Sequence, residues 1–534
     1  MTPEQQKELA PGLSNRPVAD RQSVAAQLVT RAQEQSIFIR GLDGQVYAVP
    51  RGGLGLAQPI RGAGSFREHL ARDFFEATRL VASANAKTDA MAILAAGADE
   101  TDPRPVYQRV APLPGGLLID LGRSDQQMVE VNSNGWTVRQ LQAGDPWMKR
   151  TTQMGVLPVP TAGAVDPLWT YLNVQEEDRP VLRGWMACTF LPEVAQPWLL
   201  LRGEQGTGKT TAANQLLTLL DPGAGQMTAP PRKDQDLAVA AQGRTVLGLD
   251  NLSSMPDSLS DAICRAVTGE SIVTRALYSD GDQFILRYRI GLIVTAIDPG
   301  ALRGDLAERM LPIQLEPLGE RRRSEKALQE AFDAARPALL GSILDDVAAA
   351  LRNNDAAASS CPTGGWPRLA DFGQVLAALD IEHGTVSLTS YLATMADSER
   401  DVASGHPLVE AVMHLVKTGP WSGTPTELLG KLQDGQLTQE QRREWSTAAK
   451  LTQCLNRLSK NLRGLGVIVD TRARSNGKRL TKLSLADASA YVAAKPGPRF
   501  GTPPVPSSEG PGAQPPERSA WTTVEQRRTR VTSG

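Results

Sequence analysis

The spacing of apolar and polar positions changes period several times along the chain, and each change marks a candidate element. From Val24 an apolar stripe at helical spacing leads into SIFIRGLDGQVYAV, two short β runs around a Gly-Leu-Asp-Gly turn. Helical stretches follow around residues 66–83 and 86–96. Strand patterns come next at VYQRVA, GGLLIDLG and MVEVNSNGWTVRQ, the last a hairpin expected to turn at Asn134-Gly135. Together these predict a mixed N-terminal α/β domain over residues 21–164. From Asp166 the spacing is helical until PWLLLRG, a run of buried-strand type, and strands then alternate with helices to about Glu316. Such alternation implies a parallel sheet covered by helices, here over 165–320. Helical patterns fill 321–404.

A smaller domain is expected over 405–487. HPLVEAVMHLVKTG reads as an amphipathic helix, and TPTELLGKL starts with a Thr cap and Pro. STAAKLTQCLNRLSKNLRGLG is a longer helix closed by Gly466. VIVDTRARSNGKRLTKLSL then supplies a two-stranded wing turning at Asn476-Gly477. This order is that of a winged helix-turn-helix. Residues 1–20 read as a disordered lead. Residues 488–534 read as a disordered Pro/Gly-rich tail, with eight prolines between 496 and 516. No internal repeat is evident.

Composition narrows the classes. The chain has 534 residues, and its 41% hydrophobic and 22% charged content is globular, so sizeable cores can be buried. Four scattered cysteines (Cys188, Cys264, Cys361, Cys454) show no ligand spacing and read as buried or idle thiols in a reducing compartment. Four unpaired histidines argue against zinc. No apolar run approaches the roughly 20 residues of a membrane span, and the polar N-terminus lacks a signal-peptide core. A cytoplasmic protein without membrane contact is expected. Asp120 and Asp125 in IDLGRSDQ suggest a metal site, but a capped strand and an exposed loop explain them more simply.

Candidate chemistry centres on GEQGTGKT, Gly203 to Thr210, a full G-x-x-x-x-G-K-[ST] match between an apolar strand and the helical TAANQLLTLL. Gly203, Glu204, Gln205, Gly206, Thr207 and Gly208 would wrap a phosphate in backbone N–H groups, continued by Lys209, Thr210 and Thr211 at the helix start. Lys209 is expected on the β- and γ-phosphates and Thr210 on Mg2+. Some forty residues on, TVLGLDN supplies Asp250 as the second magnesium ligand, directly or through water. The ligands implied are ATP and Mg2+. Asn251 stands where many such enzymes carry an acid. It can orient water but cannot take its proton as a carboxylate can, so slower or altered hydrolysis is expected. Glu270, in the Thr-Gly-Glu that follows, is the candidate substitute acid.

The order GEQGTGKTT, PRKDQDLAVAA, DNLSSMPDSLSDAICRAVTGE, TRALYSDGD and DLAERM resembles the ATPases of prophages and integrative elements. These are grouped with primase–helicases and are similar to superfamily 3, the AAA+-type ring helicases. The resemblance covers about 165–320. It implies an AAA+-like P-loop NTPase core and assembly into a homo-oligomeric ring around single-stranded DNA, a hexamer in the resembled superfamily. It also puts Thr295, at the end of GLIVT, near the γ-phosphate, where the family commonly places Asn. Arg309 in DLAERM falls where a neighbouring subunit's arginine finger is expected. The alternatives are Arg303 as the finger, or Arg309 ion-paired to Glu308 or Asp305. The hairpin before GLIVT would grip DNA in the resembled family. Here its tip is acidic (Asp280, Asp282), leaving Arg275, Arg287, Arg289, Tyr278 and Phe284 on the flanks, or a purely structural hairpin.

Charge adds a second candidate surface. Between Gln441 and Lys482 basic residues outnumber acidic ones by nine, in a chain of net charge -1. That is the footprint of a phosphate-backbone binder, with Arg457, Lys460 and Arg463 on the long helix and Lys478 and Arg479 on the wing. A solvated basic face or a protein-docking module is the alternative. Three functions fit: a DNA-dependent ATPase acting as a ring helicase of a phage or mobile element, an ATP-gated initiator or loader with little hydrolysis, or a nucleotide-dependent scaffold in conflict between phage and host.

Overall fold

A computed structural model describes residues 22–485 except 53–54, 63, 100–101, 224–225, 232–233, 242, 253–254, 270, 276–282, 288, 298–303, 320–323, 405–406, 434–444 and 476–477. The expected lead and tail lie outside the described residues. So do Glu270, Arg303, the tip of the 271–287 hairpin and the Asn476-Gly477 turn.

Helix α1 (Val24–Gln35) starts at Ser23, whose Oγ accepts the Ala26 N–H at 3.1 Å. Strands β1 (Ser36–Arg40), β2 (Val46–Pro50) and β3 (Gln58–Pro59) form an antiparallel sheet in that order. Helices α2 (Phe66–Thr78) and α3 (Ala84–Asp99) close a small core of Leu28, Phe66, Leu70, Phe74 and Met91. A six-stranded sheet follows from β4 (Tyr107–Gln108), β5 (Val110–Leu113), β6 (Gly116–Asp120), β7 (Gln127–Asn132), β8 (Gly135–Gln140) and β9 (Met148–Lys149). Its order is β8-β7-β6-β5-β4-β9. The β7–β8 turn falls one residue earlier than expected. Asn132 pairs with Gly135, so Ser133 and Asn134 are its centre. Asn132 Oδ1 accepts the Asn134 N–H at 2.8 Å, and Gly135 absorbs a φ of 137°.

The expected parallel sheet is present. After α4 (Arg179–Cys188) come β10 (Trp198–Arg202), α5 (Lys209–Leu220), β11 (Met227–Thr228), α6 (Asp234–Ala241), β12 (Val246–Leu249) and α7 (Asp257–Thr268). The hairpin β13 (Ser271–Arg275) and β14 (Gln283–Arg287) precedes β15 (Gly291–Thr295), α8 (Gly304–Ala307) and β16 (Met310–Gln314). Five strands lie parallel in the order β11-β12-β15-β10-β16. Residues of β10, β12 and β15 are buried almost throughout, as a sheet covered on both faces requires. Helices α9 (Glu325–Arg352), α10 (Asn354–Ala358), α11 (Ala370–His383) and α12 (Ser387–Ser404) follow.

The main apolar core runs from Val110 to Met395, so it crosses both expected boundaries at 164 and 320. One buried ion pair joins the two sheets. Arg109 is fully buried, with φ 61°, and its guanidinium donates to the carbonyls of Asp120 (3.0 Å) and Gly155 (2.8 Å) and to Asp221 Oδ1 (3.1 Å). Asp221 ends α5, and its Oδ2 accepts the N–H groups of Thr245 (2.6 Å) and Val246 (3.1 Å) at the start of β12. Neither partner can be removed without leaving the other charged and buried.

The last described segment has its own core, including Leu408, Leu428, Leu455, Leu462, Val467 and Leu483. It contains α13 (Pro407–Lys417), β17 (Trp421–Gly423), α14 (Pro425–Gln433), α15 (Ala448–Gly464), β18 (Val467–Asp470), β19 (Arg474–Ser475), β20 (Lys478–Arg479) and β21 (Thr481–Leu485). A reciprocal capping box starts α14: Thr424 Oγ1 accepts the Glu427 N–H at 3.3 Å, and Glu427 Oε2 accepts the Thr424 N–H at 2.7 Å. Strands β17, β21 and β18 form one sheet, and β19 pairs with β20. Strand β17, from before α14 and α15, thus joins β18 and β21, the first and last strands of the stretch VIVDTRARSNGKRLTKLSL. No helix among the described residues is long and apolar enough to cross a membrane.

Candidate functional site

Register decides what meets at the carboxyl edge of the parallel sheet. Leu201 pairs with Thr295, and Leu249 with Val294, so Gly203, Thr295 and Asp250 emerge together. Ligands of open α/β sheets bind outside this edge. Because β15 lies between β10 and β12, Thr295 stands between the glycine-rich loop and Asp250.

The loop itself turns on Gly206 (φ 84°) and Gly208 (φ 79°), a backbone region that L side chains avoid. Gly208 precedes α5 without a side-chain cap, and the first helical bond is from the Ala212 N–H to Gly208 O. The N–H groups of Lys209, Thr210 and Thr211 therefore have no intrahelical acceptor and carry the positive end of the helix dipole. Glu204, Gln205, Gly206, Thr210 and Thr211 are exposed, whereas Gly203 and Thr207 are buried. Lys209 Nζ turns back to donate to the carbonyls of Gly203 (2.7 Å) and Glu204 (2.8 Å). Burial holds its ammonium below the ordinary lysine range, with Asp250 opposing the shift.

Asp250 is the hub. Its Oδ1 accepts the Thr210 hydroxyl at 2.9 Å and the Thr295 hydroxyl at 2.6 Å. Thr295, 2% exposed, also accepts the Asn251 N–H through Oγ1 at 2.8 Å. Its hydroxyl thus fixes the carboxylate and the following peptide together. Asn251 is exposed and has φ 56°. Asn tolerates this left-handed conformation better than other non-glycine residues, which gives a backbone reason for Asn at this position. Asn173 was not signalled by any motif. It is nearly buried, and its side-chain amide donates to Thr207 O at 2.9 Å and to Glu316 O, tying the loop to the chain beyond β16.

The donor set suits a hard cation. A hydroxyl and a carboxylate oxygen 2.9 Å apart offer oxygen ligands only. Magnesium is commonly held by one or two carboxylates with waters and phosphates completing its shell. No group of three or more His, Cys, Asp or Glu among the described residues could hold a metal. Asp120 is instead committed to Arg150 (2.6 Å) and Asp125 to Arg123 (2.9 Å).

Arg309 stands at the other end of the strands. Trp198 pairs with Met310, so Arg309 lies one strand length, about 15 Å, from the loop. Its Nη1 donates to Asp305 O at 2.7 Å and lies 3.7 Å from Cys264 Sγ, while Glu308 pairs with Arg368 at 2.6 Å. Burial pushes the Cys264 thiol up to about 11, against the pull of the Arg309 charge. Arg289 is not presented by the hairpin, since its guanidinium donates to the carbonyls of Pro192, Glu193 and Thr268. In the C-terminal segment Arg457 and Arg463 on α15 and Arg479 on β20 are exposed; Lys460 and Lys478 fall on the same two elements.

Two family models match the chain. The actinomycete integrative conjugative element replication protein matches residues 165–401, and the C-terminal domain of the same replication protein, RepA, matches 408–497. No curated protein matches. Among solved structures, the active helicase Cch of SCCmec type IV is 13% identical, covering 86% of this chain and 94% of that one, with a TM-score of 0.45. The C-terminal region of NrS-1 is 11% identical, covering 87% of this chain and all of that one, with a TM-score of 0.38.

Proposed function

Since the chain belongs to the replication proteins of actinomycete integrative conjugative elements, whose two models together match more than half of it, we propose that it is an ATP-binding, DNA-dependent ATPase acting as a ring helicase of a mobile element. The observation that carries this reading is Asp250 Oδ1 held jointly by the hydroxyls of Thr210 and Thr295 beside the first turn of α5. The loop N–H groups and Lys209 bind the triphosphate, and Lys209 exchanges its two carbonyl acceptors for phosphate oxygens. Thr210 and Asp250, the latter directly or through water, would hold magnesium, which would supply charge neutralisation at the phosphates. Thr295 orients the carboxylate and the Asn251 peptide, leaving the Asn251 side chain to position water. Arg309 is too far to serve its own nucleotide, so its role is across a subunit boundary in a ring of copies.

The segments we propose are an N-terminal α/β unit (21–164), the P-loop core (165–320) and a helical unit (321–404), which share the apolar core that crosses their boundaries, and a winged helix-turn-helix (405–487) with its own core. In the last, Arg457, Lys460, Arg463, Lys478 and Arg479 contact the DNA backbone. Unwinding of a forked duplex tests the reading. ATP-dependent strand separation, lost in Lys209→Ala, supports it; brisk hydrolysis without strand separation removes the helicase. Asn251 favours a second reading, an ATP-gated initiator, which predicts tight DNA binding with ATP and negligible turnover.

A further inference from the structure

A second glycine-rich turn leads into a helix start, far from the first. Before α2, Gly62 has φ 101° and Gly64 φ 67°, and open space lies where either would carry a Cβ. Ser65 is the N-cap of α2, a helix of 13 residues, but its side chain makes no capping bond. The residue is 1% exposed and its Oγ has no hydrogen-bond partner. A buried hydroxyl left unpaired is costly, and an N-cap serine ordinarily gives its oxygen to the first-turn N–H groups. Here the Glu68 N–H bonds Ser65 O at 3.0 Å, which leaves the Phe66 and Arg67 N–H groups without intrahelical acceptors.

Ser65 lines a cavity of about 420 Å³ together with Arg61, Arg67 and Lys87. None of these three cations has an ion-pair partner among the described residues. Glu68 also faces the cavity, where its Oε2 accepts the Gly64 N–H at 3.2 Å. Three cations against one carboxylate leave the cavity positive, and the dipole of α2 adds to that charge. The volume is in the range of small-molecule sites and exceeds what a bare oxyanion needs.

We propose that this cavity binds a phosphate group carried on a nucleoside, either in a nucleic-acid strand or as a free nucleotide. Arg61, Arg67 and Lys87 take the phosphate oxygens with the first-turn N–H groups, and the Ser65 hydroxyl donates to the same group. Glu68 gives up the turn N–H or stays at the rim, which limits the site to one phosphate. The site shares no residue with the loop at 203–210, so it stands whether or not that loop turns over ATP.

Binding to the full chain in a Lys209→Ala background tests this, using a fluorescent oligo-dT strand and AMP as probes. Arg67→Ala combined with Lys87→Ala is expected to weaken at least one probe about tenfold or more. Ser65→Ala is expected to weaken the same probe while leaving the denaturation midpoint unchanged or higher, because it removes an unpaired hydroxyl. Loss confined to the oligonucleotide assigns the strand phosphate; loss confined to AMP assigns a free nucleotide. Unchanged affinity for both probes in both variants overturns the proposal.

Discussion

At the carboxyl edge of the parallel sheet Asp250 receives two hydroxyls and Lys209 gives two hydrogen bonds to loop carbonyls, whereas in the C-terminal segment Arg457, Arg463 and Arg479 stand exposed around a small apolar core of their own. The first arrangement works through atoms held at fixed distances in a half-buried place, where one missing donor leaves a partner unpaired. The second works through accumulated charge in water, where each residue contributes a little and salt screens the sum. Deletions at the sheet edge should therefore act in steps, and deletions in the C-terminal segment in small, salt-dependent increments.

The largest effect is expected away from both regions. Arg309→Ala should lower ATP turnover by about 10³–10⁵-fold with nucleotide affinity retained. Because the proposed role is across a subunit boundary, mixing Arg309→Ala with Lys209→Ala chains should regain part of the turnover. No regain in mixtures would return Arg309 to packing against Cys264. Within the sheet-edge site, Thr295→Val should slow turnover by about 10–100-fold, since it unpairs Asp250 on one side and the Asn251 N–H on the other. A matching rise in the Michaelis constant with unchanged maximal rate would instead place Thr295 in ground-state binding. In the C-terminal segment, Arg457→Glu with Arg463→Glu should reduce the salt slope of DNA binding by about two. An unchanged slope would make that face a protein-docking one. The smallest effect concerns the backbone: Asn251→Glu should cost about 1–2 kcal/mol in urea denaturation, and Asn251→Gly should not, because only the former strains a left-handed residue.

The same contrast explains what the sequence made legible. GEQGTGKT carries its own spacing, so the loop, α5 and the strand before it could be read directly. The alternation of strands and helices likewise predicted a parallel sheet. The spatial order β11-β12-β15-β10-β16 was not readable, because non-local pairing leaves no mark on local periodicity. With it went the position of Thr295 between the loop and Asp250, which only register supplies. Asn251 was legible as a missing acid but not as a left-handed residue, since a single positive φ has no pattern. Asn173 and the Arg109–Asp221 pair reach across 34 and 112 residues, and no motif spans such distances. Arg289 is a further case: the resemblance left it either on a DNA-facing flank or on a purely structural hairpin, and its bonds to three backbone carbonyls, two of them nearly a hundred residues away, have no local signature.

Steady-state ATP turnover of the full chain, with and without single-stranded DNA and beside Lys209→Ala, decides whether this protein is a DNA-dependent ATPase. Turnover is expected to rise when DNA is added and to fall by about 10²–10³-fold or more in Lys209→Ala. Turnover indifferent to DNA, or surviving the loss of Lys209, would contradict that reading.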